Sequence, residues 1–325
     1  MFDRKQFRKL IPAIILLLVC IFLFSAVRLV EIASMPRRTV VAEKAPSKTI
    51  VRDGVEYFPR QDIDVFLLMG LDREGTFSQE EPRWYSDRAD TLVLMIFDHR
   101  DEVVRLLSLN RDTMLNMPQL DMDGRKNGTY YGHLLFAYYF GDGMYRSCEN
   151  TVETVSDFLY GINIDHYLAM TLDGISVLND AVGGVTVTVT DDFSGINSAI
   201  TTGEVKLSGK DAVDFVRSRR GVGNHLNLSR MARQEVYMDG FVEAFRKKNV
   251  DSEFALDLYN KVSDYIVTDC SGTVFSSMIE RYSDYDLVEL VSPKGENVEG
   301  EKYIEFYVDE DALDELILRL FYSPK

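Results

Sequence analysis

Histidine and cysteine are scarce in this chain, and neither falls in a pattern that would hold a metal. The four histidines (His99, His133, His166, His225) are scattered without ligand spacing, which argues against a zinc site. Of three cysteines, Cys20 lies in an apolar N-terminal run, leaving Cys148 and Cys270 to form either one disulfide or two buried thiols; two thiols is the expectation. Net positive charge is missing as well. The formal charge is −16 over 325 residues, and a surface that acidic argues against non-specific binding to nucleic acid. No helix-turn-helix signature is present to argue otherwise. Internal repeats and low-complexity runs are absent, and no proline-rich or glycine-rich break divides the chain after residue 62.

What is present begins with a tail and a span. MFDRKQFRK carries Arg4, Lys5, Arg8 and Lys9, and LIPAIILLLVCIFLFSAV follows with no charge. A bilayer needs roughly 20 predominantly apolar residues, so this run is just long enough. A cleaved signal peptide would have an apolar region of about 7–15 residues and a small-residue cleavage site. An uncleaved transmembrane helix fits better. The basic flank predicts a cytoplasmic N-terminus and an extracytoplasmic remainder at the cell membrane. The first thirty residues hold five basic groups and one acid, leaving 31 bases against 51 acids outside, a balance of −20. The divisions are a tail over 1–9, the span over 10–30, an extracytoplasmic linker over 31–61 with room for some early ordered structure, and one α/β domain over 62–325. Its motif-bearing core is 62–245, and 246–325 is an integral C-terminal part.

Within the domain, strands and helices alternate. DVFLLMG (64–70), TLVLMIF (91–97) and VVRLLSL (103–109) are short apolar runs suited to strands buried on both faces. TVETVSDFLYG (151–161) and LDGISVLNDAVGG (172–184) predict helices closed by glycines, and VTVTVT (185–190) a half-exposed strand. Ser208 predicts the N-cap of a helix carrying Val213, Val216, Arg217 and Arg220 on one face. Asn227 predicts the cap of the next helix, with Met231, Met238, Val242 and Phe245 as its apolar stripe. Further helices are expected near 252–265 and 271–282, a strand near 303–308, and a last helix from Asp309.

Against the acidic background, LSGKDAVDFVRSRRGVGNHLNLSRMARQ (207–234) holds Arg217, Arg219, Arg220, Arg230 and Arg233. A charge run is usually a solvated face. Three other segments give this one a different meaning: GLDR (70–73) at the end of a strand, RADT (88–91) before the next, and SLNRDT (108–113) after the third. Ligands of open α/β sheets bind at the carboxyl ends of strands, which places Asp72 and Arg111 there. Asp90 joins them only if strand 91–97 runs antiparallel to 64–70, and the loop between leaves that direction open. Two carboxylates tolerate proximity when a hard cation such as Mg²⁺ lies between them. Arginines fork onto phosphate oxygens and offset charge developing in transfer. The chemistry suggested is phosphoryl transfer.

Together these segments, with AVGGVTV (181–187), FVRSR (215–219) and RMARQ (230–234), resemble the LytR–CpsA–Psr family of enzymes that attach glycopolymers to the Gram-positive cell wall. The resemblance runs from about Asp64 to Gly240 and includes the single N-terminal anchor. It implies an α/β/α sandwich with a mixed central sheet and an apolar pocket for a polyprenyl tail; VFLLM, LVLMIF and the helix over 231–245 are candidates to line it, with ordinary core the expectation for most of these residues. It implies a Mg²⁺ cofactor held by Asp72 and Asp90. Arg88, Arg111, Arg217, Arg219 and Arg230 would surround the pyrophosphate of a polyprenyl-linked glycopolymer, and Gln234 would touch the phosphate or stand behind it. Asp112 is the candidate for orienting the acceptor or taking its proton. The partners implied are that donor, peptidoglycan and the membrane, with no nucleic acid.

Three positions depart from the family pattern. Asn110 replaces a proline and is expected to loosen its turn. Arg73 directly follows Asp72, where the family has its arginine one residue further on. Asn227 stands where many members have Asp. These changes keep a non-catalytic, lipid- or wall-binding member as the alternative reading. The acidic composition disfavours a third, transcriptional attenuation.

Overall fold

The computed structural model describes residues 49–77, 83–218, 221–222, 233–234, 236–237, 239–241, 243–244, 247, 261–270, 281–282 and 285–324. The predicted membrane span, the Asn227 cap, and most of the predicted helices at 252–265 and 271–282 lie outside the described residues. Among the described residues, no helix is long and apolar enough to cross a membrane.

The described elements run β1 (Ile50–Arg52), β2 (Val55–Pro59), β3 (Ile63–Leu71), β4 (Ala89–Asp98), β5 (Val103–Leu109), β6 (Met114–Leu120) and β7 (Lys126–His133). Helices α1 (Phe136–Tyr139) and α2 (Tyr145–Phe158) follow, then β8 (His166–Met170), α3 (Leu172–Ala181), β9 (Val185–Val189), β10 (Gly203–Leu207) and α4 (Gly209–Arg217). The C-terminal part supplies β11 (Ile266–Thr268), β12 (Asp286–Val291), β13 (Gly295–Glu299), β14 (Ile304–Val308), α5 (Glu310–Phe321) and β15 (Tyr322–Pro324).

The central sheet is mixed, in the order β11-β8-β3-β4-β5-β12. The pairs β3–β8 and β5–β12 are parallel; β3–β4, β4–β5 and β8–β11 are antiparallel. The apolar runs do bury both faces. Val65, Leu67, Met69, Leu94, Ile96 and Leu107 face one core, which α2 and α5 close with Val155, Leu313 and Ile317. Phe66, Met95, Phe97 and Val104 face the other, covered by Leu178 of α3, Phe215 of α4, and Val185 and Val187 of β9. Period-two alternation in central strands, with apolar residues at both phases, requires such a layer on each side.

Three local differences from the sequence expectation have physical causes. Residues 50–59, assigned to the linker, form β1 and β2, and β2 pairs with β15 at the other end of the chain. Only that distant partner makes these short strands worthwhile, and no local pattern announces it. Helix α2 begins at Tyr145, six residues before the predicted start. Its buried face there is polar: Asn150 donates to the carbonyls of Ala137 at 2.8 Å and Pro118 at 3.1 Å. Its start is fixed by Asp142, whose carboxylate accepts the backbone N–H groups of Met144 and Arg146 at 2.8 and 3.0 Å. The β6–β7 ribbon also escaped prediction, since Pro118 sits within β6 and β7 is exposed for most of its length.

At the end of the sheet where β3 begins and β4 ends, Asp98 is fully buried. It accepts from Arg60 at 2.7 and 2.6 Å and from Arg105 at 2.6 Å. Arg60 also bonds Asp62 at 2.9 and 3.1 Å, and Arg105 lies 3.2 Å from Glu289 of β12. Burial alone would raise the Asp98 pKa, but the two guanidiniums outweigh it and hold the carboxyl well below the usual range.

Candidate active site

The antiparallel pairing of β3 with β4 answers the question left by the sequence. The C-terminal end of β3 lies beside the N-terminal start of β4, and β5, antiparallel in turn, returns its end to the same edge (Leu92 opposite Leu109). All three short motifs therefore meet at the end of the sheet away from Asp98. The register shifts between Gly70 and Leu71, and the Asp72 N–H bonds the Arg88 carbonyl at 3.1 Å. A Cβ on Gly70 would lie 3.1 Å from Cβ of Thr91, so glycine lets the two strands close tightly just before Asp72.

The side chains form alternating charges. Arg217 lies 3.3 Å from one oxygen of Asp72, and Arg88 lies 3.7 Å from the other. Arg111 pairs closely with Asp90 and stands 3.6 Å from Asp112. Arg217 arrives from α4, where Ser208 and Asp211 form a capping box at the N-terminus and Arg217 itself closes the last turn, the end at which a cation is favoured. It is about half exposed, and its second partner is Glu74 at 2.7 Å. The bond to Glu74, then the charges of Asp72, Glu74 and Asp90, raise its pKa against desolvation. One guanidinium thus feels both carboxylates proposed for the cation.

Asn110 does not loosen its turn. Its side-chain oxygen accepts the Asp112 N–H at 3.0 Å, and its carbonyl accepts the Thr113 N–H at 3.0 Å and hydroxyl at 2.6 Å. This Asx turn stiffens the segment by hydrogen bonding, where proline would do so by fixing φ. The Arg111 carbonyl is held by the Leu135 N–H at 3.0 Å.

Other candidates separate from the site. Arg73 is buried, paired with Asp87 at 3.1 Å, bonded to the Thr76 carbonyl at 2.8 Å and stacked 4.6 Å over Phe77; it braces the loop. Gln234 donates to the Val216 carbonyl at 3.2 Å, which steadies the end of α4 just before Arg217. Arg233 is buried, bonds the carbonyls of Phe215 and Ser218, and pairs with Asp191 at 2.6 Å. Arg219, Arg220 and Arg230 lie outside the described residues. The strand residues expected to line a lipid pocket are core in both layers.

Two neighbours of these side chains escaped the sequence reading. Glu74 sits two residues past Asp72 and looked like any surface acid. His133, at the end of β7, lies 3.9 Å from Asp112 and was one scattered histidine among four. Cys148 and Cys270 are both free and buried. Cys270 comes with Asp269 beside His166, their donor atoms within 4.8 Å. There Asp269 accepts the Tyr167 N–H at 3.0 Å, and burial pushes the Cys270 thiol pKa far up, so the group is bound into the sheet edge.

The model of the LytR_cpsA_psr family matches residues 32–321. A relative from Enterococcus faecalis, named polyisoprenyl-teichoic acid–peptidoglycan teichoic acid transferase TagU, is 29% identical over 67% of this chain and 64% of its own length. TagV of Bacillus subtilis, of the same transferase name, is 26% identical over 67% of this chain and 53% of its own. The chain thus spans between about half and two thirds of these curated relatives. Among solved structures, TagT bound to LIIa-WTA shares the fold at a TM-score of 0.57, covering 80% of this chain and 90% of that one at 19% identity. With the motifs, the mixed sheet and a family match over most of its length, this chain belongs to the LytR–CpsA–Psr family.

Proposed function

We infer that this chain is a membrane-anchored phosphotransferase. It moves a phosphate-linked glycopolymer, of teichoic acid or capsule type, from polyprenyl pyrophosphate to a sugar hydroxyl of peptidoglycan. The observation that supports this best is the meeting of Asp72, Asp90, Arg88, Arg111 and Arg217 at one end of the sheet. The names of the E. faecalis and B. subtilis relatives speak of the same donor and acceptor classes. The basic tail and apolar run at residues 1–30 favour an N-terminus in the cytoplasm and the domain outside.

Phosphoryl transfer asks the protein for positioning and charge stabilisation more than for covalent chemistry. Arg88, Arg111 and Arg217, with Arg219 and Arg230 from the motif resemblance, receive the pyrophosphate oxygens, exchanging carboxylate partners for phosphate. Asp72 and Asp90 fit a Mg²⁺ ion by their chemistry: two partly exposed hard-oxygen donors from paired backbone segments, set among arginines that would otherwise be their partners. Such an ion, when bound, supplies further neutralisation of the pyrophosphate. The acceptor hydroxyl oxygen bonds to the phosphorus bearing the polymer, and the bond from that phosphorus to the bridging oxygen breaks. Polyprenyl phosphate leaves with the electron pair. Asp112 takes the hydroxyl proton, with His133 behind it at 3.9 Å.

The test uses the full-length protein in detergent with a synthetic polyprenyl-pyrophosphate glycan, Mg²⁺ and glycan strands, following polyprenyl phosphate release. Removing one donor to the developing charge, as in Arg111→Ala, is expected to slow turnover about 10²–10³-fold. Turnover that survives the double change Asp72→Ala and Arg111→Ala refutes the assignment.

A further inference from the structure

The Asp112 segment has a second neighbour besides the phosphate site. The β13–β14 hairpin docks on it directly: the Phe306 N–H bonds the Asp112 carbonyl at 2.9 Å, and Thr113 bridges to Phe306 in parallel. Strand geometry sorts the side chains. On β14 and the residue before it, Tyr303, Glu305 and Tyr307 point to one side while Phe306 is buried on the other. On β7, Tyr131 and His133 share a face. The two faces meet: the His133 and Tyr303 rings lie 6.0 Å apart, and the Tyr307 hydroxyl interacts with Tyr131 and donates to Glu305 at 2.6 Å. The result is a stripe running Tyr307/Tyr131, Tyr303/His133, Asp112.

Its exposure is unusual. Tyr303 is 68% exposed and Tyr131 54%, with Tyr307 also exposed. A row of exposed large aromatics that ends at a candidate proton acceptor marks a binding surface more than a packing accident. Tyrosine presents a flat apolar face for the C–H side of a sugar ring and a hydroxyl for its polar edge. Glu305 adds an acceptor for sugar hydroxyls. The hairpin and its turn, residues 295–307, carry four glutamates and one lysine, which repels a phosphate-rich polymer or an anionic lipid surface. A glycan strand without phosphate is the occupant that fits.

We propose that the stripe Tyr131, Tyr303 and Tyr307 is the docking platform for the acceptor glycan, leading its hydroxyl to Asp112. This rests on the phosphotransferase reading above and assigns its second substrate a place. The donor then occupies the arginine side of Asp112 and the acceptor the tyrosine side, and in-line displacement requires the acceptor hydroxyl to approach the phosphorus opposite the departing polyprenyl phosphate.

The experiment varies uncrosslinked peptidoglycan glycan strands at saturating donor, using full-length protein. Tyr131→Ala and Tyr303→Ala, both at exposed sites, are expected to raise the acceptor KM about 5-fold each, with kcat and donor KM little changed. Tyr303→Phe, which keeps the ring, is expected to hold the acceptor KM near the parent value. An unchanged acceptor KM in the double alanine variant, with transfer still running, overturns the platform. A separate binding arm uses chitohexaose and titration calorimetry, so a failed transfer assay does not decide the matter. Wild-type binding lost in the double variant upholds the platform even if no pyrophosphate is cleaved, in which case only the phosphotransfer reading falls. Absence of wild-type binding overturns it, as does a double variant that binds chitohexaose as the parent does.

Discussion

Replacing Asp98 by alanine isolates what holds the sheet from what works at its edge. The carboxylate is fully buried and accepts three guanidinium bonds of 2.6–2.7 Å, with the Arg100 and Asp101 N–H groups at 3.2 and 3.4 Å. Removing one partner of a buried pair typically costs about 3–5 kcal/mol, because the other charge stays behind uncompensated. Here Arg60 keeps Asp62 and Arg105 keeps Glu289, so neither is orphaned entirely. The expected loss is about 3 kcal/mol, at the lower end of that range. Urea unfolding of the full-length protein in detergent, followed by tryptophan and tyrosine fluorescence, measures it. Acid should reproduce the effect in the parent protein. The folded pKa of Asp98 lies below that of the unfolded chain, so its contribution is complete above the ordinary carboxylate range. It is lost as pH falls through that range and then through the lower folded value. Asp98→Ala should therefore flatten the acid limb of the stability profile. A loss under about 1 kcal/mol, the size of an exposed pair, would refute the buried-network argument. So would an acid limb unchanged by the substitution.

Asn110→Ala deletes the Asx bond to the Asp112 N–H while leaving Arg111 and Asp112 in place. A net cost of about 1 kcal/mol is expected by unfolding, together with a drop in kcat larger than any change in donor KM, because the segment that aims Arg111 is slackened. Equal kinetics for the variant and the parent would show the turn to be indifferent. For the two described thiols, burial raises the pKa of Cys148 and of Cys270, so both should resist iodoacetamide at pH 8 in the native protein and react on unfolding. Rapid native labelling of either would contradict its position in the core.

The sequence made the central strands legible because they obey one rule throughout. Leu67, Leu94 and Leu107 on one face and Phe66, Met95 and Val104 on the other leave no polar phase, and only a strand covered on both sides reads that way. Elements stabilised by distant or polar partners were not legible. β2 depends on β15, more than 260 residues away, and the first turns of α2 depend on Asn150 reaching Pro118 and Ala137. Neither dependence leaves a periodic trace. Strand direction was hidden for a related reason. RADT and GLDR each mark one end of a strand, yet whether those ends coincide in space is a property of the pairing, which no residue in the loop between them declares.

The arginine-rich segment shows how far charge alone can be read. Arg217 and Arg233 are the same residue type sixteen positions apart in one basic stretch, and their environments are opposite. Arg217 closes α4 half-exposed, facing Asp72 and Glu74, so its fork remains within reach of a ligand that can offer better acceptors. Arg233 is buried and spends its donors on the carbonyls of Phe215 and Ser218 and on Asp191, and its guanidinium lies 5.5 Å over Phe193. It ties together the backbone on either side of Arg217. Composition makes the two equivalent, whereas packing leaves one half-exposed beside Asp72 and sets the other among the backbone carbonyls that flank it. Gln234, bonded to Val216, belongs with the second group. The motif thus carries an exposed arginine and a buried one in a single basic stretch, and only the fold separates them.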